Sequence, residues 1–135
     1  MKTKFQKIGD DALNSCENLI SINIPLVTNI GVAAFAGWES LTSANFPSVT
    51  TIGEYAFYVC ENLTSITLGT NFETETEIEF GINVFGGVET ENVDLILGEN
   101  VLPKPNLTLK IWQNTNYGYN NIDDDYIWKS IKITQ

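Results

Sequence analysis

The feature that most constrains this chain is a sequence motif that recurs every 22 residues. Residues 8–13, 30–35 and 52–57 each begin with Ile-Gly and close with Ala followed by Leu or Phe. A fixed period of this length is typical of a solenoid, in which no single repeat buries its apolar face and only stacking of repeats forms a core. The repeat therefore decides the class of fold before any single residue is considered.

Each unit divides into two parts with different periodicity. The Ala-Phe pair and the Cys or Trp that follows lie three to four residues apart, which suits one face of a helical turn. The downstream segments 19–24, 41–46 and 63–68 alternate in their last three residues, as strands do. The pattern predicts short helical turns opposite a parallel sheet. The side chains expected between these layers are Cys16, Phe35, Trp38, Phe57, Cys60 and Phe85.

The last third of the chain departs from this pattern. Residues 80–85 match the motif a fourth time, after an inserted acidic segment (71–77) that reads as a loop, and 93–97 supply a fourth strand. Beyond Pro103 and Pro105 the turn motif is absent, while 107–111 and 128–133 alternate as strands. We expect an α/β repeat solenoid over 1–102, with a truncated N-terminal repeat, and a β-rich cap over 103–135 in the same domain. Such a cap shields the last hydrophobic layer.

The pattern Ile-Gly-x-x-Ala-Phe-x-x-Cys-x-x-Leu-Thr-Ser-Ile-x-Leu, clearest at 52–68, resembles the BspA-like leucine-rich repeats of bacterial surface proteins. The sequence Ile-Trp-Lys-Ser-Ile at 127–131 is similar to an ending found in such proteins. The resemblance implies a cell-surface or secreted location and a role in adhesion or protein binding. It specifies the fold closely and leaves the ligand open.

The charge distribution excludes several classes of partner. The formal net charge is −10, Arg is absent, and all seven lysines (2, 4, 7, 104, 110, 129 and 132) lie outside residues 8–103. Nucleic-acid binding needs clustered cations, so we expect none. No apolar stretch approaches the roughly 20 residues of a membrane span.

Catalysis and metal binding find little support in the sequence. Histidine, the commonest general base and metal ligand, is absent. The carboxylates at 73–79 and 123–125 lie in expected loops, and the run 120–125 lacks the spacing of a calcium-binding loop. Cys16 and Cys60 sit two repeats apart, about 10 Å, beyond the reach of a disulfide. We expect no enzyme activity, no cofactor and no bound metal.

The open face of the predicted sheet is the candidate binding site. If the apolar strand residues point inward, their neighbours form two outward columns, one running through Ser43 and Ser65 and the other through Asn45 and Thr67. The columns also include Thr108, Ser130, Ile96 and Lys132. A rigid sheet presenting short side chains loses little entropy on binding. The predicted binding residues are Ser21, Asn23, Ser43, Asn45, Ser65, Thr67, Asp94 and Lys110.

Two alternatives to a protein-binding face stay open. The chain could be a spacer within a longer adhesin, or a carbohydrate-binding module that stacks sugars on its C-terminal aromatics. Those aromatics are Trp112, Tyr117, Tyr119, Tyr126 and Trp128. The partner is expected to be a protein ligand, with a host protein or a glycan as the possibilities.

The N-terminal end of the solenoid carries a separate prediction. Residues 1–7 lack the aromatic content of the C-terminal segment, so Ile8, Leu13 and Leu19 should be only partly covered. The uncovered edge of a sheet can pair with another chain, and the charges of Lys2, Lys4 and Lys7 oppose that pairing. We expect a monomer with weak self-association through this end.

Overall fold

A computed structural model describes residues 6–13, 18–114 and 125–135. Its largest element is a five-stranded, all-parallel sheet in the order β13-β9-β6-β4-β2. Successive strands pair in register, as Ser43 with Ser65 and Ser65 with Asp94. The strands are β2 (Ser21–Asn23), β4 (Ser43–Phe46), β6 (Ser65–Leu68), β9 (Asp94–Gly98) and β13 (Ser130–Thr134). The solenoid predicted from the 22-residue period is confirmed.

The chain winds through one coil of the solenoid per repeat. A second parallel sheet, of four two-residue strands, forms another side of these coils. Its strands are β1 (Lys7–Ile8), β3 (Asn29–Ile30), β5 (Thr51–Ile52) and β8 (Glu79–Phe80). The Ile of each Ile-Gly motif pairs with the Ile or Phe of the next coil, so the repeat unit in the sequence is also the stacking unit.

Two smaller pairings complete the topology. Strands β7 (Thr76–Glu77) and β10 (Val101–Leu102) are parallel, and β11 (Ile111–Asn114) and β12 (Asp125–Ile127) are antiparallel. The acidic segment expected to be only a loop therefore ends in the short strand β7.

The segments predicted as helical turns form turns without regular α-helix in the described residues. In the second coil, the N–H of Ala34 donates to the carbonyl of Gly31 (3.3 Å), as in one turn of tight helix. The alternate amides, of Ala33 and Phe35, instead donate to the next coil at 2.9 and 2.8 Å. Because every second N–H bonds across coils, a continuous helix cannot form. The single 3₁₀ helix in the part described covers Thr90–Asn92.

The glycine of the motif is required by how closely the coils stack. A Cβ built on Gly31 or Gly53 would lie 2.6 Å from the backbone nitrogen of Asp10 or Val32 in the preceding coil. On Gly81 it would lie 2.2 Å from the nitrogen of Glu54. Gly9, in the first coil, would meet nothing within 4 Å. Residues 31, 53 and 81 thus form a column that any side chain would force apart.

A column of phenylalanines fills the core between the layers. Phe57 stacks on Phe35 with ring centroids 5.2 Å apart and on Phe85 at 5.6 Å. Trp38 and Cys60 are fully buried beside them, as the sequence predicted, and the Cys60 thiol donates to the Phe35 carbonyl at 3.2 Å. Burial raises the pKa of the Cys60 thiol to about 12. Cys16 lies outside the described residues.

Three aromatics after residue 103 close the core at its far end. Trp128 meets Phe85 edge-on, with ring centroids 5.0 Å apart, and Trp112 meets Phe80 in the same way, also at 5.0 Å. The Tyr126 hydroxyl accepts a bond from the backbone N–H of Phe85 at 3.1 Å. These rings seal the fourth coil. The division into a solenoid over 1–102 and a cap over 103–135 of the same domain remains a prediction.

The strand predicted at 107–111 is wrong. Asn106 and Ile111 exchange backbone hydrogen bonds at 2.9 and 3.1 Å, and the Asn106 side chain accepts from the N–H of Leu109 at 3.0 Å. Residues 107–110 therefore form a tight loop in which Lys110 has φ 58°. An Asn that bonds its own chain three residues on favours a turn, and this local bond overrides the alternating pattern.

Candidate functional site

The candidate site is the outer face of the five-stranded sheet. One column contains Ser21, Ser43, Ser65, Asp94 and Ser130, and the other contains Asn23, Asn45, Thr67, Ile96 and Lys132. The residues between the columns point inward: Ile22, Ala44, Ile66 and Leu95 are buried, while the column residues are partly or fully exposed. Each strand contributes one rung, which is its set of outward side chains, and neighbouring strands of a sheet are spaced by about 4.8 Å. The face is a regular ladder of side chains.

Lys110 does not belong to this face. Strand β9 pairs directly with β13, so the sheet has no place for residues 107–111, and Thr108 is excluded with them. The position predicted for Lys110 is occupied by Lys132, which pairs with Ile96. The other predicted binding residues all lie in the two columns; their role in binding stays a prediction.

Hydrogen bonds order several side chains on the face. The Asn45 amide nitrogen donates to Asn23 Oδ1 at 3.1 Å, and the Ser130 hydroxyl donates to Asp94 Oδ1 at 2.6 Å. Asn45 Oδ1 is buried and has no hydrogen-bond partner within the described part of the chain. A buried acceptor left without a donor costs stability.

The face is divided by charge along the solenoid axis. The rungs of β2, β4 and β6 carry only Ser, Asn and Thr, whereas those of β9 and β13 carry Asp94, Ile96 and Lys132. Three neutral rungs thus lie beside the rung of β9, which carries the negative Asp94, and the rung of β13, which carries the positive Lys132. The neutral part offers hydrogen bonds without the cost of desolvating an ion.

A row of threonines at the margin of the face was not among the residues predicted from the sequence. The hydroxyl of Thr42 donates to the carbonyl of Ile20 at 2.9 Å, and that of Thr64 donates to the carbonyl of Thr42 at 3.0 Å. The sequence could have predicted this row, because Thr42 and Thr64 lie one repeat apart. These bonds tie successive coils together and hold the start of each strand in register.

The aromatics proposed for carbohydrate stacking are not available to a ligand where the structure describes them. Trp112, Tyr126 and Trp128 are between 1% and 6% exposed. Their rings pack on the core, and Trp128 also donates its indole N–H to the Trp112 carbonyl at 3.1 Å. Tyr117 and Tyr119 lie outside the described residues.

Two concavities lie away from the face. An apolar cleft of about 110 Å³ is lined by Leu97, Val101, Pro105 and Ile133, and a polar one of about 420 Å³ by Glu61, Asn62 and Glu89. Among residues 6–13, 18–114 and 125–135, no three acidic or cysteine side chains come together in a group that could hold a metal ion. Residues 120–124 of the acidic run predicted at 120–125 fall outside these ranges. No helix in the described ranges has the length and hydrophobicity needed to cross a bilayer.

Comparison with known proteins identifies one family. Its sequence model, described as a BspA type leucine rich repeat region, matches residues 1–96 in six copies. No curated protein and no solved structure matches the chain significantly. The match covers the whole four-stranded sheet and, in the five-stranded sheet, β2, β4, β6 and the first three residues of β9, and therefore most of the candidate face.

Proposed function

The chain belongs to the BspA-type leucine-rich repeat family, and on that premise we propose that it is a non-enzymatic protein-interaction module. The family's repeats build interaction surfaces, and its members are commonly surface or secreted proteins. We assign this chain to the surface or exterior of a bacterial cell, with adhesion as its role. The observation that carries the proposal is the in-register ladder of polar side chains on the open sheet face.

The construction of the face supports a binding role. Each rung is fixed by a backbone ladder and a buried neighbour, so docking immobilises only short side chains. Preorganisation of this kind leaves more of the interaction energy for affinity. Solenoids use extended faces of this shape to contact partners.

The chemistry of the face indicates the kind of partner. The neutral rungs offer hydroxyls and amides, which both donate and accept, so they suit a polar protein surface or a glycan. The net charge of −10 accelerates encounter with a basic partner and slows it with an acidic one. We propose a protein ligand, with a host protein as the first candidate and a glycan as the second.

The test is a binding screen against immobilised host matrix proteins and glycans, repeated with a blocked face. The triple variant Ser43→Arg, Ser65→Arg, Thr67→Arg covers the neutral rungs with long cations. A control with Val32→Arg, Ile82→Arg and Leu107→Arg adds the same charge at exposed positions off the face. Binding through the face predicts loss of the signal in the first variant and its retention in the control.

The alternatives give different results in the same screen. A spacer binds nothing, with or without the substitutions. If a folded triple variant binds as well as the wild type, the outer face of the sheet is not the binding site. Binding confined to glycans favours the carbohydrate module, and it then requires a surface other than the buried rings of Trp112, Tyr126 and Trp128.

A further inference from the structure

Two tyrosines lie on the surface of the turn that joins β5 to β6 in the third coil. Tyr55 is 39% exposed and Tyr58 is 43% exposed, and their rings meet edge to face, with centroids 5.3 Å apart and planes at 88°. Smaller residues occupy the equivalent positions of the second and fourth coils: Ala33, Ala36, Asn83 and Gly86. Of these three coils, only the third presents a pair of aromatic rings to solvent at these positions.

The backbone conformation makes tyrosine a strained choice at position 55. Its φ is 58°, and the equivalent residues of the other coils, Asp11, Ala33 and Asn83, have φ between 53° and 57°. Because every coil adopts this left-handed conformation here, the turn itself imposes it. Asp and Asn tolerate the conformation, whereas a bulky side chain is strained in it. Strained residues cluster at binding sites, and an exposed aromatic ring held in this way points to a ligand.

The fourth coil fixes the position of the Tyr58 ring. A Cβ built on Gly86 would lie 2.9 Å from Cδ1 and 3.1 Å from Cε1 of Tyr58, so the ring packs against a position where only glycine leaves room for it. The contact with Tyr55 restrains the ring further. A pair of rings held in place before binding loses little entropy when a ligand docks.

The charges beside the pair indicate the ligand. Glu54 directly precedes Tyr55, Glu61 follows Tyr58 by three residues, and both glutamates are exposed. Residues 8–103 contain no Lys or Arg, so the coils supply no cation to neutralise these carboxylates. The face of an aromatic ring is itself negative and attracts cations. The rings and the carboxylates therefore both favour a cationic group and disfavour an anionic one.

We propose that Tyr55, Tyr58 and Glu54 form a second binding site, which holds an arginine side chain from a basic segment of a protein partner. A guanidinium is planar and weakly hydrated, so it stacks on an aromatic face and keeps N–H groups free for a carboxylate. A lysine ammonium is compact and strongly hydrated, and it fits such a site less well. The site goes beyond the proposed function, because none of its residues lies on the open sheet face.

An NMR titration with a short peptide tests the proposal at about 0.15 M salt, where the attraction of distant charges is screened. The probe is acetyl-Gly-Arg-Gly-amide, and its matched control replaces arginine with citrulline, which keeps the shape and lacks the charge. With the arginine peptide at millimolar concentrations, the amide signals of residues 54–61 and Gly86 should shift to saturation. The dissociation constant should be at least about fourfold higher for the citrulline peptide.

Variants of the protein separate the rings from the general negative charge. Tyr55→Leu with Tyr58→Leu removes both rings and keeps the net charge. Since one exposed cation–π contact contributes about two- to fivefold, this variant should bind the arginine peptide at least about fourfold more weakly. The matched control, Tyr55→Phe with Tyr58→Phe, keeps the rings and should bind within about twofold of the wild type. Glu54→Gln should weaken binding by about two- to fivefold.

Three outcomes overturn the proposal. Equal affinity for the arginine and citrulline peptides does so on the wild type alone, even if the leucine variant does not fold. Unchanged binding of the arginine peptide by a folded leucine variant shows that the rings are not the site. Loss of binding in the phenylalanine variant assigns the interaction to the tyrosine hydroxyls, which would favour a hydrogen-bonded ligand such as a glycan.

Discussion

Replacing Gly53 with alanine tests the close stacking of the coils. Its Cβ would lie 2.6 Å from the Val32 nitrogen, against 3.4 Å for an ordinary contact, so the coils must separate locally by about 0.8 Å. The ladder bonds from Gly53 N to Ile30 O (2.8 Å) and from Ala33 N to Glu54 O (2.9 Å) would lengthen to about 3.6 and 3.7 Å, beyond hydrogen-bonding range.

Two lost hydrogen bonds cost about 1 kcal/mol each, and overpacking adds about 1–3 kcal/mol, giving a total of about 3–5 kcal/mol. Against a domain stability of about 5–15 kcal/mol, that is a severe loss. The free energy of unfolding is measured by urea denaturation followed by tryptophan fluorescence.

Gly9→Ala is the matched control, because it makes the same change in the same motif where nothing lies within 4 Å. It should be neutral or stabilise the chain by up to about 1 kcal/mol, since alanine restricts the unfolded state. Equal effects of the two substitutions, or a loss below about 1 kcal/mol for Gly53→Ala, would refute the stacking argument.

Three further predictions concern the core and the turns. Phe57→Ala should lower the free energy of unfolding by about 3–5 kcal/mol, because it empties the centre of the stacked ring column, and urea denaturation measures it. Val59 is a β-branched residue at φ 59°, so Val59→Asn should raise the melting temperature by relieving about 1 kcal/mol of strain; an unchanged or lower value contradicts this. The folded pKa of Cys60, about 12, lies above its ordinary value of 9.0, so the unfolded state loses its proton first as pH rises. Stability from this thiol is full below pH 9 and declines between pH 9 and about 12, by up to about 1.4 kcal/mol per pH unit. Urea denaturation at pH 8, 9 and 10 should show a shallower decline for Cys60→Ala than for the wild type, and parallel declines contradict the assignment.

The regular coils were predictable because one constraint acts on every repeat. The 22-residue period fixes the register of both sheets at once, and a slip of one residue would turn the buried Ile22 and Ile66 to solvent. The same alternation placed Ser43, Asn45, Ser65 and Thr67 on the outer face. The site residues that lie in the regular repeats could therefore be predicted from the sequence.

The parts that failed depend on interactions that occur once. The alternation Leu-Thr-Leu-Lys-Ile at 107–111 is typical of a strand, but the side chain of Asn106 closes a turn over it. The pairing of β7 with β10 joins an insertion to a later strand, and no internal repeat predicts it. The short helical turns, by contrast, were predicted from their apolar spacing, and the bonds between coils, such as Ala33 to Glu54, keep them from extending into a regular helix.

Disulfide trapping across the open face tests the ladder of side chains most directly. In the variant Ser43→Cys, Ser65→Cys the new cysteines lie on adjacent rungs in register, about 4.8 Å apart and within the Cα separations that a disulfide bridges. In Ser43→Cys, Asp94→Cys they lie two strands apart, at about 10 Å, out of reach. Peptide mass spectrometry after mild oxidation should find the first crosslink and not the second. Failure of the first in a folded protein, or equal formation of both, would contradict the parallel, in-register face on which the proposed function depends.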